Sequence, residues 1–554
     1  MPDHGNFSKI PGQLNGIYYL VNNQRLLLGI MKEKLRILLI ILLVMGVFFR
    51  FVNLEGKSYW IDEVFTSLRI SGYTQAEVIQ ELSQGQVISL DELQKYQRPN
   101  PEKGITGTIK GLALEEPQIP PLFFIMARFW VQIFGHSPAV TRGFSSAISL
   151  LAFPAIYWLC RELFESPLTG WMAMALVAIS PFQVLYAREA RNYGLWAVII
   201  LISSWTLLRA IRINKKSNWA IYATTVALGF YAHLFFALVA IGHGIYILAL
   251  QSFRGTKTVT AYLLASLAGV LAFTPWIWIV INYSASVTNT TGWQSQRKSL
   301  LSLVITWVGN ISRAFLDLGV NSSAPLSYLI PLGLVSLIVV STVIYSLYFL
   351  VKTTPKQVWL FVVTLIATPA LALMLPDLIF GGYRSAMSRY LMSCQLGILI
   401  AVAYLLANKF NSSFLPRWQK QLWQLCGVIL ISSAVLSGIV GSQAEIWWNM
   451  AYGYQFAPVA QIINKAKQPL VISEISGNNL GNILALSYSL KPQTKFQFLE
   501  KAPFPQIASD FSERFIYGDS DKLFEQLAQA QNLKRVPIHQ AKQDNKTWLW
   551  KLVE

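Results

Sequence analysis

From residue 35 onward the chain alternates long apolar runs with short polar gaps. A helix needs about 20 mainly apolar residues to cross the hydrocarbon core of a bilayer. Such runs cover 35–54, 140–160, 169–187, 193–212, 219–233, 235–252, 258–281, 327–351, 358–377, 391–408 and 421–440. They predict roughly eleven spanning helices, the two around His233 being short for the purpose. The segment 299–318 is amphipathic, with Trp307, Arg313 and Asp317, and predicts a helix lying along the interface. Two stretches break the rhythm. Residues 55–139 form a loop far longer than ordinary connections, and such loops tend to be functional. That loop ends in the aromatic segment 120–130, where Pro120-Pro121 suits the start of an interfacial helix. Residues 441–554 instead alternate strand-like runs (469–473, 514–517, 547–552) with helical ones (457–467, 478–488, 521–531). They predict a small α/β accessory domain, without a phosphate-binding glycine fingerprint.

Composition narrows the class. Of 554 residues, 54% are hydrophobic and only 13% charged, against about 25% charged in soluble domains. A soluble enzyme, a disordered chain and a fibrous protein are excluded. The 45 Lys and Arg outnumber the 27 Asp and Glu, giving +18. Residues 441–554 are nearly balanced, with twelve basic and ten acidic side chains, so the excess belongs to the membrane part. There it sits in short gaps such as Arg209/Arg212/Lys215/Lys216 and Lys409/Arg417/Lys420. That is a positive-inside pattern, not a nucleic-acid-binding stripe. It divides the chain into a cytoplasmic extension 1–34, a membrane domain 35–440 containing the large outer loop 55–139, and an outer-face domain 441–554. The first run is followed by no small-residue cleavage site and reads as an uncleaved helix. Cys160, Cys394 and Cys426 lie far apart in or beside apolar runs and predict no disulfide.

Four groups that could carry chemistry fall on the same side under this topology. Tyr59-Trp60-Ile61-Asp62-Glu63 sets adjacent carboxylates among aromatic rings just beyond the first run, where burial and nearby cations can tune a base. The short turn carrying Arg188, Glu189 and Arg191, followed by Tyr193, concentrates three ionisable groups that are costly unless they face a polar cavity. Arg384, Arg389 and Tyr390 lie on the outer side against the positive-inside trend, and arginine forks suit phosphate. His233 ends one of the short runs at the same level. Purely structural readings exist for each: an interfacial aromatic belt, a snorkelling cluster, charge compensation for the acidic loop, and a helix-end histidine.

In order along 35–440, these residues resemble the polytopic glycosyltransferases of the C superfamily (GT-C fold). The likeness is to the branch holding protein O-mannosyltransferases and the lipid A aminoarabinose transferase. Trp60-Ile61-Asp62-Glu63 is similar to that family's Asp-Glu signature. Glu116-Pro117-Gln118-Ile119-Pro120-Pro121-Leu122-Phe123 is similar to its acid, spacer, His-Pro-Pro-Leu-Tyr segment. The most specific match runs from Ser180-Pro181-Phe182 through Tyr186 to Arg188-Glu189-Ala190-Arg191-Asn192-Tyr193. Arg384-Ser385 and Arg389-Tyr390 resemble its late arginine-tyrosine loop.

The resemblance implies a polyprenyl-phosphate-linked sugar donor and transfer to a glycolipid, glycan or protein acceptor on the non-cytoplasmic face of the plasma membrane. It implies Asp62 as catalytic base with Glu63 beside it, and Glu189 positioning acceptor or donor. Arg188, Arg191, Arg384 and Arg389 would hold the donor phosphate. Tyr59, Trp60, Glu116, Tyr193, His233 and Tyr390 would line the substrates. Three departures stand out: Ile119 where relatives often have His or Lys, Phe123 for Tyr, and Arg188 for Gln or Ser. The first leaves a divalent metal held by this loop and His233 an open question. Two rival functions share the many-span layout. A lipid-linked polysaccharide polymerase or ligase would place paired arginines in large late loops without an Asp-Glu after the first span. A flippase or transporter would show internal repeats and charges at mid-membrane.

Overall fold

The computed structural model describes residues 33–553 apart from 321–323, 413–414, 451, 500–504, 519–520 and 542–543. The expected extension 1–34 lies almost wholly outside the described residues. Seven described helices are long and apolar enough to cross a membrane, from Pro138–Phe164 to Arg417–Gln443. An eighth span is bent by 59° between Pro167–Ile179 and Pro181–Ala187. Its break follows from Pro181, whose ring cannot continue the helix, and the Ser180 hydroxyl at the break donates to the Ala314 carbonyl (2.8 Å). The other three expected spans coincide with a helix over 33–51 and with the 17- and 15-residue helices Lys216–Ala232 and Phe236–Leu250. The chain is a multi-pass membrane protein.

The expected interfacial helix of the first loop is Leu122–Phe134. It buries Phe123, Phe124, Ala127 and Val131 and exposes Phe129, Ile133 and Phe134. An apolar outer stripe of this kind is stable against lipid and costly against water. The amphipathic segment near 299–318 contains the helix Leu300–Ser312, which docks on the later loop through Trp307 Nε1 to Ser385 Oγ (2.9 Å).

The tail contributes five strands to a six-stranded mixed sheet: β1 Val87–Ser89 from the first loop, then β2 Pro469–Glu474, β3 Lys495–Leu499, β4 Glu513–Tyr517, β5 Lys534–Gln540 and β6 Thr547–Val553. Their order is β1-β3-β2-β4-β6-β5. The central strands β3, β2 and β4 run parallel, and the two edges are antiparallel. β1 comes from the first loop, so the boundary expected at 441 does not isolate the sheet. The helix Gly477–Ser487 covers one face and packs on the helix Ile61–Ser71. Gly481 permits that approach: a Cβ there would lie 2.9 Å from Ile61 and Phe65. The tail therefore backs the segment that carries Asp62 and Glu63.

Candidate active site

Trp60 is the N-cap of the helix Ile61–Ser71, and Asp62 and Glu63 fill its first turn. Carboxylates are favoured there by the unpaired N–H groups and the helix dipole. Adjacent helical residues point about 100° apart, and the two acids meet different surroundings. Glu63 has no exposed surface. Arg142 grips it with Nε on Oε1 (2.8 Å) and Nη2 on Oε2 (2.5 Å). The same guanidinium donates to the carbonyls of Leu54, Lys57 and Ser58, while Oε1 also accepts the Ala190 N–H (2.9 Å). Glu63 thus pins the 54–58 segment, the Pro138–Ser149 helix and the 188–192 turn together. Asp62 keeps a quarter of its side chain exposed and pairs with Arg389 Nη1 (3.1 Å).

The turn after the bent span is buried at every position from Arg188 to Asn192. Arg191 Nη1 donates to the Asp62 carbonyl and to Thr66 Oγ1, both at 3.2 Å. Arg188 turns the other way, onto the carbonyls of Val52, Asn53 and Gly441. Glu189 accepts a hydrogen bond from Asn449 Nδ2 in the tail. Burial, reinforced by the charges of Glu63 and Asp62, pushes its carboxyl up to about 8. Burial also pulls the Lys57 ammonium down to about 7, with Arg188 and Arg142 adding to the effect. Tyr193 meets the Tyr186 ring edge-on at 5.2 Å, and the Tyr186 hydroxyl bonds Ser388 Oγ (2.7 Å). His233 stacks on Trp196 at 4.1 Å, and its Nδ1 accepts the Phe235 N–H.

The late loop meets the first-loop helix here. Arg389 reaches Asp62, whereas Arg384 lies 3.5 Å from Asp377 and donates to Ser295 Oγ (2.8 Å). Gly382, at φ +134°, makes room for that pair, because a Cβ there would sit 2.6 Å from Asp377 Oδ1. The Tyr390 hydroxyl accepts from Gln294 Nε2 (2.8 Å). Glu116 is held by Arg69 Nε (3.1 Å). The Tyr59 hydroxyl bonds Ser67 Oγ (2.6 Å), and its ring meets Tyr488 edge-on.

The fold therefore gathers Asp62, Arg191 and Arg389 directly, with Tyr186, Tyr193 and Glu189 around them. It turns Glu63 and Arg188 into anchors and holds Arg384 and Glu116 in ion pairs of their own. Two residues not singled out from sequence complete the site, Arg142 and Asn449. An arginine inside the apolar run 140–160 is itself a signal, because such a charge is expensive without a partner; nothing local distinguishes Asn449. Among the described residues the Nε groups of Arg188, Arg191 and Arg389 and the indole N–H of Trp60 are buried without a hydrogen-bond partner. Guanidinium N–H groups beside a carboxylate can take up an anionic group. Among the described residues no three His, Cys, Asp or Glu side chains gather into a group that could hold a metal ion. The residues present do not fit the divalent metal left open above.

Over residues 118–279 the chain matches the family model described as dolichyl-phosphate-mannose-protein mannosyltransferase. No curated protein matches the chain. Among solved structures, ArnT from Cupriavidus metallidurans bound to undecaprenyl phosphate is similar over 92% of this chain and 97% of that one, with 11% identity and a TM-score of 0.53. The Archaeoglobus fulgidus oligosaccharyltransferase is 14% identical over 70% of this chain, with a TM-score of 0.42. The chain spans 57% of that protein's length. The chain shares its fold with ArnT. The matched family model encloses the Ser180–Tyr193 motif and His233, while Asp62 and the 384–390 loop lie outside it.

Proposed function

We propose that this protein is a membrane glycosyltransferase that moves a sugar from a polyprenyl-phosphate donor to an acceptor hydroxyl or amine, with Asp62 as base. The observation that carries the reading is the Asp62–Arg389 contact beside the Arg191 guanidinium, which donates to the Asp62 carbonyl. The donor phosphate docks on Arg191 and Arg389. As it takes up the Arg389 fork, it frees the Asp62 carboxylate to accept a hydrogen bond from the acceptor. The acceptor oxygen then attacks the anomeric carbon, Asp62 takes its proton, and the bond to the phosphate oxygen breaks. The leaving phosphate needs no proton. One displacement needs one base, unlike retaining hydrolysis with its two carboxylates. The site faces the non-cytoplasmic side of the plasma membrane, in keeping with the basic gaps at the other end of the bundle.

The test is release of the lipid phosphate from a defined polyprenyl-phosphate sugar by the purified protein. Asp62→Asn is expected to lower turnover by at least about a hundredfold, as loss of a general base does, while binding of the donor stays within about threefold. Transfer at the wild-type rate by Asp62→Asn overturns the assignment.

A further inference from the structure

The end of the bundle opposite Asp62 holds a cavity of about 600 Å³, within the usual size of small-molecule sites. The helix Met392–Asn411 starts three residues after Arg389 and rises about 30 Å over its length. Its far end, with Tyr404, Asn408 and Lys409, lines the cavity together with Phe164, Thr169 and Phe349. Phe164 and Tyr404 stack at 4.6 Å, and Phe349 lies 5.8 Å from Tyr404, giving an apolar wall. The Lys409 ammonium sits 4.5 Å from the Phe349 ring, 5.5 Å from Trp423 and 5.9 Å from Tyr345. Such a cage orients a cation without neutralising it. Among the described residues no carboxylate forms an ion pair with Lys409; at this end Glu162 pairs with Arg212, and Glu165 acts on the same guanidinium. The rim is basic as well: Lys352 is in the last turn of one bounding helix, and Arg417 and Lys420 begin another.

We propose that this cavity binds the headgroup of an anionic glycerophospholipid, independently of the Asp62 site. Its phosphate meets Lys409, and its glycerol esters meet the amide of Asn408. The first acyl carbons lie along Phe164 and Phe349. Basic pockets between spanning helices recognise anionic headgroups in this way, with about 1 kcal/mol from each cation near the membrane surface.

The proposal is tested without any transferase assay. Full-length protein in detergent is offered phosphatidylglycerol, phosphatidylcholine or inorganic phosphate, and one-to-one adducts are counted by native mass spectrometry. Phosphatidylglycerol is expected to be retained about fivefold over phosphatidylcholine, the equivalent of one cation's contribution, and inorganic phosphate is expected to leave no adduct. Lys409→Gln should abolish the preference. Asn408→Asp, which keeps the side chain's size at an exposed position, should do the same by repulsion. Lys420→Gln on the rim should leave most of the preference intact. Equal retention of both lipids, a preference that survives Lys409→Gln, or an equal loss with Lys420→Gln overturns the site. A phosphate adduct matching that of the lipid overturns the lipid assignment in favour of a small anion.

Discussion

Replacing Arg142 by Met would strike the contact that fixes the Asp62 helix. The guanidinium makes two bonds to Glu63 and three to backbone carbonyls, all at 2.5–2.9 Å. Without it Glu63 keeps only the Ala190 N–H, in a place with no exposure. Breaking a buried pair from one side costs about 3–5 kcal/mol, and each carbonyl left without a donor adds about 1 kcal/mol unless water reaches it. The expected loss is at least about 3 kcal/mol, roughly a hundredfold in the folded-to-unfolded ratio. Removing both charges, in Arg142→Met with Glu63→Leu, should cost less than the two single changes together, by about 2 kcal/mol. Denaturant unfolding in mixed micelles, followed by tryptophan fluorescence, measures the cycle. A single-variant loss under about 1 kcal/mol, or strict additivity, would refute the anchoring role.

Other outcomes follow from the same geometry. The Glu189 carboxyl, ordinarily near 4.5 and here about 8, binds its proton more tightly in the folded state. Its stabilising contribution is complete below the ordinary value and is lost as pH rises through about 8. Glu189→Gln should therefore flatten the fall in melting temperature across that window, and parallel wild-type and variant profiles would count against it. Gly481→Leu drives a side chain into Ile61 and Phe65, which should cost about 1–3 kcal/mol. By shifting Asp62 it should lower kcat about tenfold or more with little change in donor KM; unchanged steady-state kinetics would contradict this. Arg389→Lys keeps the charge but loses the fork, so donor KM should rise by about tenfold, close to 1.4 kcal/mol. An unaltered KM would remove Arg389 from the phosphate site.

The spans were legible because a bilayer imposes a length and a composition that a single sequence displays. Even the weakest runs, 219–233 and 235–252, correspond to helices, whereas the run 169–187 reads as one span and bends at Ser180-Pro181 in the structure. The first-loop interfacial helix could be read from its proline pair and aromatic stripe. Pairing partners were less accessible. Asp62 and Glu63 look alike as neighbours in sequence; only the roughly 100° turn between them, and the arrival of Arg142 and Arg389 from distant segments, separates an anchor from a partly exposed acid. Arg188 and Arg191 differ in the same way, by which carbonyls surround them. β1, β3 and β5 escaped notice for distinct reasons. β1 has three residues, too few to show alternation. β3 is nearly continuous in burial and lacks a clear period. β5 is an exposed edge interrupted by Pro537 and a register shift.

Gln497 donates its amide to the carbonyl of Gly85, 412 residues earlier, beside the β1–β3 pairing. While a nascent chain is still leaving the ribosome, the loop that bears Asp62 has no sheet to join and no Gly481 helix to lean on. Maturation of the reaction site must wait for the last fifth of the polypeptide. Under the proposed function, a prematurely terminated product would carry inserted helices and an unsupported Asp62 helix, and would consume no donor.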